Sequence, residues 1–152
     1  MNKPINLSWL VEKWTIMDED SYLKSMWLNT ESLDIIRINQ GETEDDIIKN
    51  YIDIDSDIDH YVLMPGADAF DEDKARSVFI EKLDRHERDQ VIDEYEGFAP
   101  AEEFLDIIYN LGLEGEYNDF KSKIAAYILL LWADDEKIAI TKDMETINID
   151  KL

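Results

Sequence analysis

The chain predicts an α+β fold in which a small antiparallel sheet of about three strands, an N-terminal hairpin plus one further strand, packs against a C-terminal helical bundle. Three observations carry that prediction. Short runs rich in β-branched and aromatic residues mark three strands within the first 66 positions. Apolar residues recur at helical spacing from Asp71 onward. Gly97, Pro100, Gly112 and Gly115 punctuate the second half where helices stop and start. With 152 residues, 45% of them hydrophobic, the chain can bury a core and reads as one domain: 1–66 mainly hairpin and acidic sheet region, 67–137 helical, 138–152 a tail.

From the N-terminus, Leu7, Leu10, Val11 and Trp14 share one face of a short helix that either Asn6 or Ser8 can cap. The stretch around it has one lysine and an interrupted apolar run, too short and mixed for a signal peptide or a membrane span. Asp18, Glu19 and Asp20 form an acidic loop. Tyr22, Leu23, Met26, Trp27 and Leu28 then mark a strand, Asn29 to Ser32 turn the chain, and Leu33, Ile35, Ile36 and Ile38 return it as far as Gly41. Glu42 to Tyr51 reads as a weak helix or an irregular acidic crossing anchored by Ile47, Ile48 and Tyr51. Between Ile52 and His60, Asp53, Asp55, Asp57 and Asp59 alternate with Ile52, Ile54, Ser56 and Ile58, which in an extended chain puts every carboxylate on one face. Tyr61 to Met64 form the third strand, closed by Pro65 and Gly66.

In the second half Asp71 caps a helix with the stripe Ala75, Val78, Phe79 and Leu83, and Val91, Ile92 and Tyr95 continue to Gly97, as one bent helix or two. Glu81 with Arg85 and Asp84 with Arg88 have the four-residue spacing of helical ion pairs around His86. A helix opens near Pro100 with Phe104, Ile108 and Leu111 on its stripe and stops at Gly112. Another starts after Gly115 with Tyr117, Phe120, Ile124, Tyr127, Ile128 and Leu131 in a row. Its end, Ile128 to Trp132, is apolar on nearly every side, as befits burial or a partner surface. The two pack as an antiparallel hairpin, and beyond Ile138 the tail adds an edge strand or hangs loose.

Charge sets the class of partner. Thirty-seven Asp and Glu against 15 Lys and Arg leave a formal net charge of −22. A surface of that sign repels nucleic acid and anionic membranes and draws in basic proteins, at a rate that falls as salt rises. Cysteine is absent, so thiol chemistry and disulfides are excluded, and the chain reads as cytoplasmic.

Three blocks of the chain carry a family likeness. Residues 5–38 have a short helix, an acidic loop with a Ser-Tyr start, and a strand, turn, strand unit. His60 to Pro65 form an aromatic, valine and proline strand. Gly97 to Trp132 hold a Gly-Phe pair, a Leu-Gly-Leu turn and an acidic Tyr-x-x-Phe helix. In this order they resemble uncharacterised protein family 0158, small bacterial proteins with no assigned activity. The resemblance implies a fold and no role. That family carries arginines near the glycine of its third block. This chain has Ala99, Pro100, Ala101, Glu102 and Glu103 there, so no phosphate or RNA contact is implied at that place.

Among candidate sites, a calcium loop counted from Asp53 needs glycine at its sixth place and glutamate at its twelfth, where Ile58 and Met64 stand. The histidines, His60 and His86, have no metal-ligand spacing. Neither a phosphate-binding glycine loop nor a nucleophile elbow is present, so no catalytic, cofactor or metal residue is assigned. Trp9, Trp14 and Trp27 sit on apolar faces and are expected to be buried. The expected role is that of a non-enzymatic binder of a basic protein: an inhibitor, an antitoxin or immunity protein, or a nucleic-acid mimic. Its contacts are Asp53, Asp55, Asp57 and Asp59, with Asp45 and Asp46 before them. On a strand, alternate carboxylates lie about 6.6 Å apart, near two phosphate steps of DNA. The competing classes are a divalent-metal enzyme acting on phosphate-containing substrates, and an interaction module whose acidity serves only solubility.

Overall fold

A computed structural model of the chain describes residues 3–14, 23–39, 42–94 and 101–151. Its elements run β1 (Ile5–Asn6), α1 (Leu7–Lys13), β2 (Leu23–Asn29), β3 (Ile35–Asn39), α2 (Glu44–Asp55), β4 (Tyr61–Leu63), α3 (Glu72–Lys82), α4 (Arg85–Glu94), α5 (Ala101–Asn110), α6 (Glu114–Asp135) and β5 (Ile140–Thr141). The chain is α+β. β2 lies at the centre of a three-stranded antiparallel sheet, order β3-β2-β4, and the second half is helical. The expected acidic loop at Asp18–Asp20, the strand start at Tyr22, the stop at Gly41 and the boundary from Tyr95 to Pro100 lie outside the described residues.

Strand alternation sends Met26 and Leu28 one way, and with Met64 they join the main core, which also takes in Leu7, Leu10, Trp14, Phe79, Phe104, Tyr117 and Leu129. Residues from the sheet and from the C-terminal helices thus share one apolar cluster. Ile38 points to the opposite face of the sheet. It is fully buried outside that cluster, as is Ile54 of α2, which packs against β3. The sheet is therefore covered on both faces, by the helical core on one side and by α2 on the other.

Leu33 corrects the expected returning strand. It lies in the turn, left-handed at φ 64° and 40% exposed, and its N–H donates to the Asn29 carbonyl at 2.8 Å. The strand begins at Ile35 instead.

A larger correction concerns residues 52–60, which are not extended. α2 continues through Asp55 and the chain then turns from Ser56 to His60. Thr43 caps this helix by accepting the Asp46 N–H at 3.2 Å, and Glu44, Asp45 and Asp46 place negative charge at its positive N-terminal end. Burial of Ile54 holds the last turn against the strand preference of its isoleucines.

In the helical half Asp71 caps α3 by accepting the Lys74 N–H at 3.0 Å, and a break at Leu83–Asp84 separates two helices rather than bending one. Asp84 accepts the Glu87 N–H at 2.8 Å, which, with a hydrogen bond from the Glu87 side chain, holds its carboxyl below the usual range. The break places Glu81 and Arg85 on different helices, and Asp84 serves as a cap, so neither expected ion pair forms. α6 begins at Glu114, one residue before Gly115, and packs against α1, α3 and α5. Tyr117 on α6 is fully buried, edge-on to Phe79 and Phe104, and its hydroxyl donates to Glu72 at 2.8 Å. Along the end of α6, Leu129 and Ala133 are buried, Ile128 and Trp132 half-buried, and Leu131 exposed.

The tail is ordered into the core. β5 pairs in parallel with β1, Ile5 opposite Ile140, while Met144, Ile147 and Ile149 pack on the central cluster. Asp143 takes over the capping expected of Asn6 or Ser8. Its carboxylate accepts the Ser8 N–H at 2.8 Å and the Ser8 hydroxyl at the start of α1, whereas the Asn6 side chain makes no capping bond. No helix among the described residues is long and apolar enough to cross a membrane.

Candidate partner-binding surface

α2 carries most of the expected contact residues, and helical geometry decides where they point. At 100° per residue, Ile47, Asn50 and Ile54 fall on the side that meets β3, and they are the half-buried or buried members of the helix. Glu44, Asp45, Ile48, Tyr51, Ile52 and Asp55 fall on a sector turned away from the sheet, and all six are exposed. Three of them are large and apolar: Ile48 is 49% exposed, Tyr51 41% and Ile52 60%. Asp46, Lys49 and Asp53 occupy the remaining flank.

The helix runs into a polar clasp that ties it to the β2–β3 turn. Asn29, buried at the end of β2, accepts the N–H groups of Glu31 and Ser32 at 2.9 Å and donates its amide to Asp57 at 2.8 Å. His60 lies between two carboxylates, Nδ1 at 2.6 Å from Asp57 and Nε2 at 2.7 Å from Glu31. The hydrogen bond to Asp57, reinforced by the charges of Asp57 and Glu31, raises the His60 imidazole above its ordinary value. Asp57 is lowered in turn by the hydrogen bonds from His60 and Asn29. Beside the clasp a polar cleft of about 750 Å³ opens between the sheet and the end of α2, with Asp53, Asp57, Glu31 and Asp34 on its walls.

The six expected contacts therefore divide. Asp45 and Asp46 lie in the first turn of α2. Asp53 and Asp57 share the cleft. Asp55 points about 200° away from Asp53, and Asp59 lines a separate concavity with Lys3, Thr30 and Lys137. Four carboxylates on one face at phosphate-like spacing are not formed, because two-residue alternation spreads side chains around a helix. The sequence reading passed over Glu31, Asp34 and Glu44, and it took Ile48 and Tyr51 as anchors beside Ile47; of these only Ile47 turns toward β3, while Ile48 and Tyr51 are exposed on the outward face with Ile52. The signal for the apolar three was present in their i, i+3, i+4 spacing, masked by the alternation that follows.

Elsewhere, an apolar groove of about 700 Å³ runs between the start of α3, α6 and the tail, over Leu63, Leu131 and Trp132. Lys74 and Asp150 pair across its rim at 2.5 Å. Trp14 is fully buried with its indole N–H on the Pro65 carbonyl, and Trp9, Trp27 and Trp132 are half-buried. His86 is exposed on α4. Among the described residues no three His, Asp or Glu side chains converge as metal ligands do.

No family model, curated protein or solved structure matches this chain. The likeness to family 0158 accordingly rests on its three sequence blocks alone.

Proposed function

We propose that the chain is a non-enzymatic binder of a basic protein, an inhibitor or an antitoxin or immunity protein, working in a reducing, cytoplasmic setting with which its lack of cysteine is compatible. One observation supports this above the others: the shortage of bases around α2, since from residue 67 onward 23 Asp and Glu have ten Lys and Arg among them. In the helical half and tail, Glu72 pairs with Lys121, Asp73 with Arg76, Asp119 and Glu145 with Lys123, and Asp150 with Lys74. From Glu42 to Asp59 eight carboxylates face one base, Lys49. Among the described residues, Glu44, Asp45, Asp46, Asp53, Asp55 and Asp59 form no ion pair, and Asp57 pairs with His60 while accepting the Asn29 amide.

Charge left unpaired by the chain's own residues is available to a partner, and a field of one sign steers a basic protein toward it over about 8–10 Å at physiological salt. The nucleic-acid mimic version rests on charge alone, since the helix provides no phosphate-like ladder. Capture from a lysate of the source cell at low salt, with release at moderate salt, identifies the partner. Association kinetics then test the site. Changing Asp45, Asp46, Asp53, Asp55 and Asp59 to Asn should slow association about tenfold and flatten its salt dependence. An unchanged rate removes this surface from the function.

A further inference from the structure

We infer that the outward face of α2 is the docking surface for a basic amphipathic helix. This inference rests on the basic-partner reading and adds where the partner is held and in what conformation. Ile48, Tyr51 and Ile52 occupy positions i, i+3 and i+4, the spacing at which one helix offers a ridge to another. They are exposed on a helix whose other side already supplies its packing through Ile47 and Ile54. Nothing in the fold requires this stripe to be apolar, and burial of its three side chains supplies the lasting affinity that screened charge alone does not.

The polar residues around the stripe select the occupant. Glu44 and Asp45 flank it at the N-terminal end and Asp55 at the C-terminal end, and the only base on the helix, Lys49, lies on the flank beside Asp46 and Asp53. A complementary segment is apolar along its centre and carries Lys or Arg at both ends. The 12 residues of α2 make a ridge about 18 Å long, so the segment that matches it is a helix of about three turns. A second copy of this chain is disfavoured, because self-pairing through the stripe brings the carboxylates of two such faces together. Nucleic acid and anionic lipid are disfavoured by the same charge.

Two synthetic probes separate this inference from the reading it rests on. One is a lysine–leucine peptide with leucines at i, i+3, i+4 and i+7; the other is an oligolysine of equal charge. Isothermal titration at low salt should give the amphipathic peptide an affinity at least tenfold above oligolysine, with NMR amide shifts concentrated in residues 44–55. The double variant I48S/I52S, altered only at exposed positions and checked by circular dichroism, should erase that difference and leave oligolysine binding unchanged. If both peptides bind wild type equally and the variant changes nothing, the docking face is wrong while the basic-partner reading stands. If neither binds, the reading falls and the inference with it. Concentration-dependent self-association in sedimentation that I48S/I52S abolishes would assign the face to a second copy and overturn the inference.

Discussion

Gly112 and Lys137 occupy the same place at the ends of two helices. After α5 the Leu113 N–H reaches back to the Ile108 carbonyl at 2.8 Å and the Gly112 N–H to Tyr109 at 3.1 Å. After α6 the Ile138 N–H reaches Ala133 at 2.8 Å and the Lys137 N–H reaches Asp134 at 3.2 Å. Each pair satisfies two carbonyls that a helix end leaves open, and each needs a left-handed residue, here Gly112 at φ 74° and Lys137 at φ 59°. A side chain in that conformation costs about 1 kcal/mol. Lys137→Gly should therefore stabilise the fold by about 1 kcal/mol in urea titration, and Gly112→Ala should destabilise it by a similar amount. A Cβ at Gly112 meets nothing within 4 Å, so backbone strain is the whole of that effect. A Lys137→Gly variant no more stable than wild type would show that the α6 turn is not strained. The first of these ends was legible because glycine advertises the conformation. The second was not, because lysine is an ordinary helix residue and only the 2.8 Å bond from Ile138 reveals the turn.

Between elements, the His60 clasp makes the junction of the β2–β3 turn with the end of α2 depend on pH. The folded imidazole is raised, so its contribution is complete below the ordinary histidine value of about 6.5 and is lost as pH rises through the raised value. Asp57 is lowered, so its contribution is present above the ordinary aspartate value of about 3.9 and is lost as pH falls through the lowered one. The melting midpoint of wild type should exceed that of His60→Gln most between about pH 4 and pH 6.5 and converge on it toward pH 9. A gap of constant size from pH 5 to 9 would mean that the clasp is neutral.

The same junction shows why α2 was misread in part. Ile52, Ile54 and Ile58 are β-branched and alternate with aspartates, which is the local pattern of a strand. The competing signals were Thr43 three residues before Asp46, acid through the first turn, and Ile47, Tyr51 and Ile54 at helical spacing. Packing of Ile54 under the sheet decided between them, and a contact with β3 is not visible in a ten-residue window. Consequently the acidity of the site was legible, whereas its division between the cleft, the outward face and the flank was not.

Across the whole molecule, the three main strands and the helices from Asp71 onward were legible from period and punctuation. The β1–β5 pairing was not, because two residues on each strand leave no pattern to read. Net charge acts at this scale too. A chain of −22 repels itself when compact, so raising sodium chloride from 10 to 150 mM, which shortens the screening length from about 30 to about 8 Å, should raise the melting midpoint. A midpoint that falls with salt would show that ion pairs such as Lys123 with Asp119 outweigh the general repulsion.

Ile5 meets Ile140, and Asp143 caps the helix that begins at Leu7. On the ribosome this order of contacts becomes an order in time. The apolar face of Leu7, Leu10 and Trp14 is synthesised well before α6 and β5, and it is covered only after they have been made. Until then the chain can form its hairpin and its local helices, but the step that closes the core joins residues as distant as Ser8 and Asp143 and waits for the later of them.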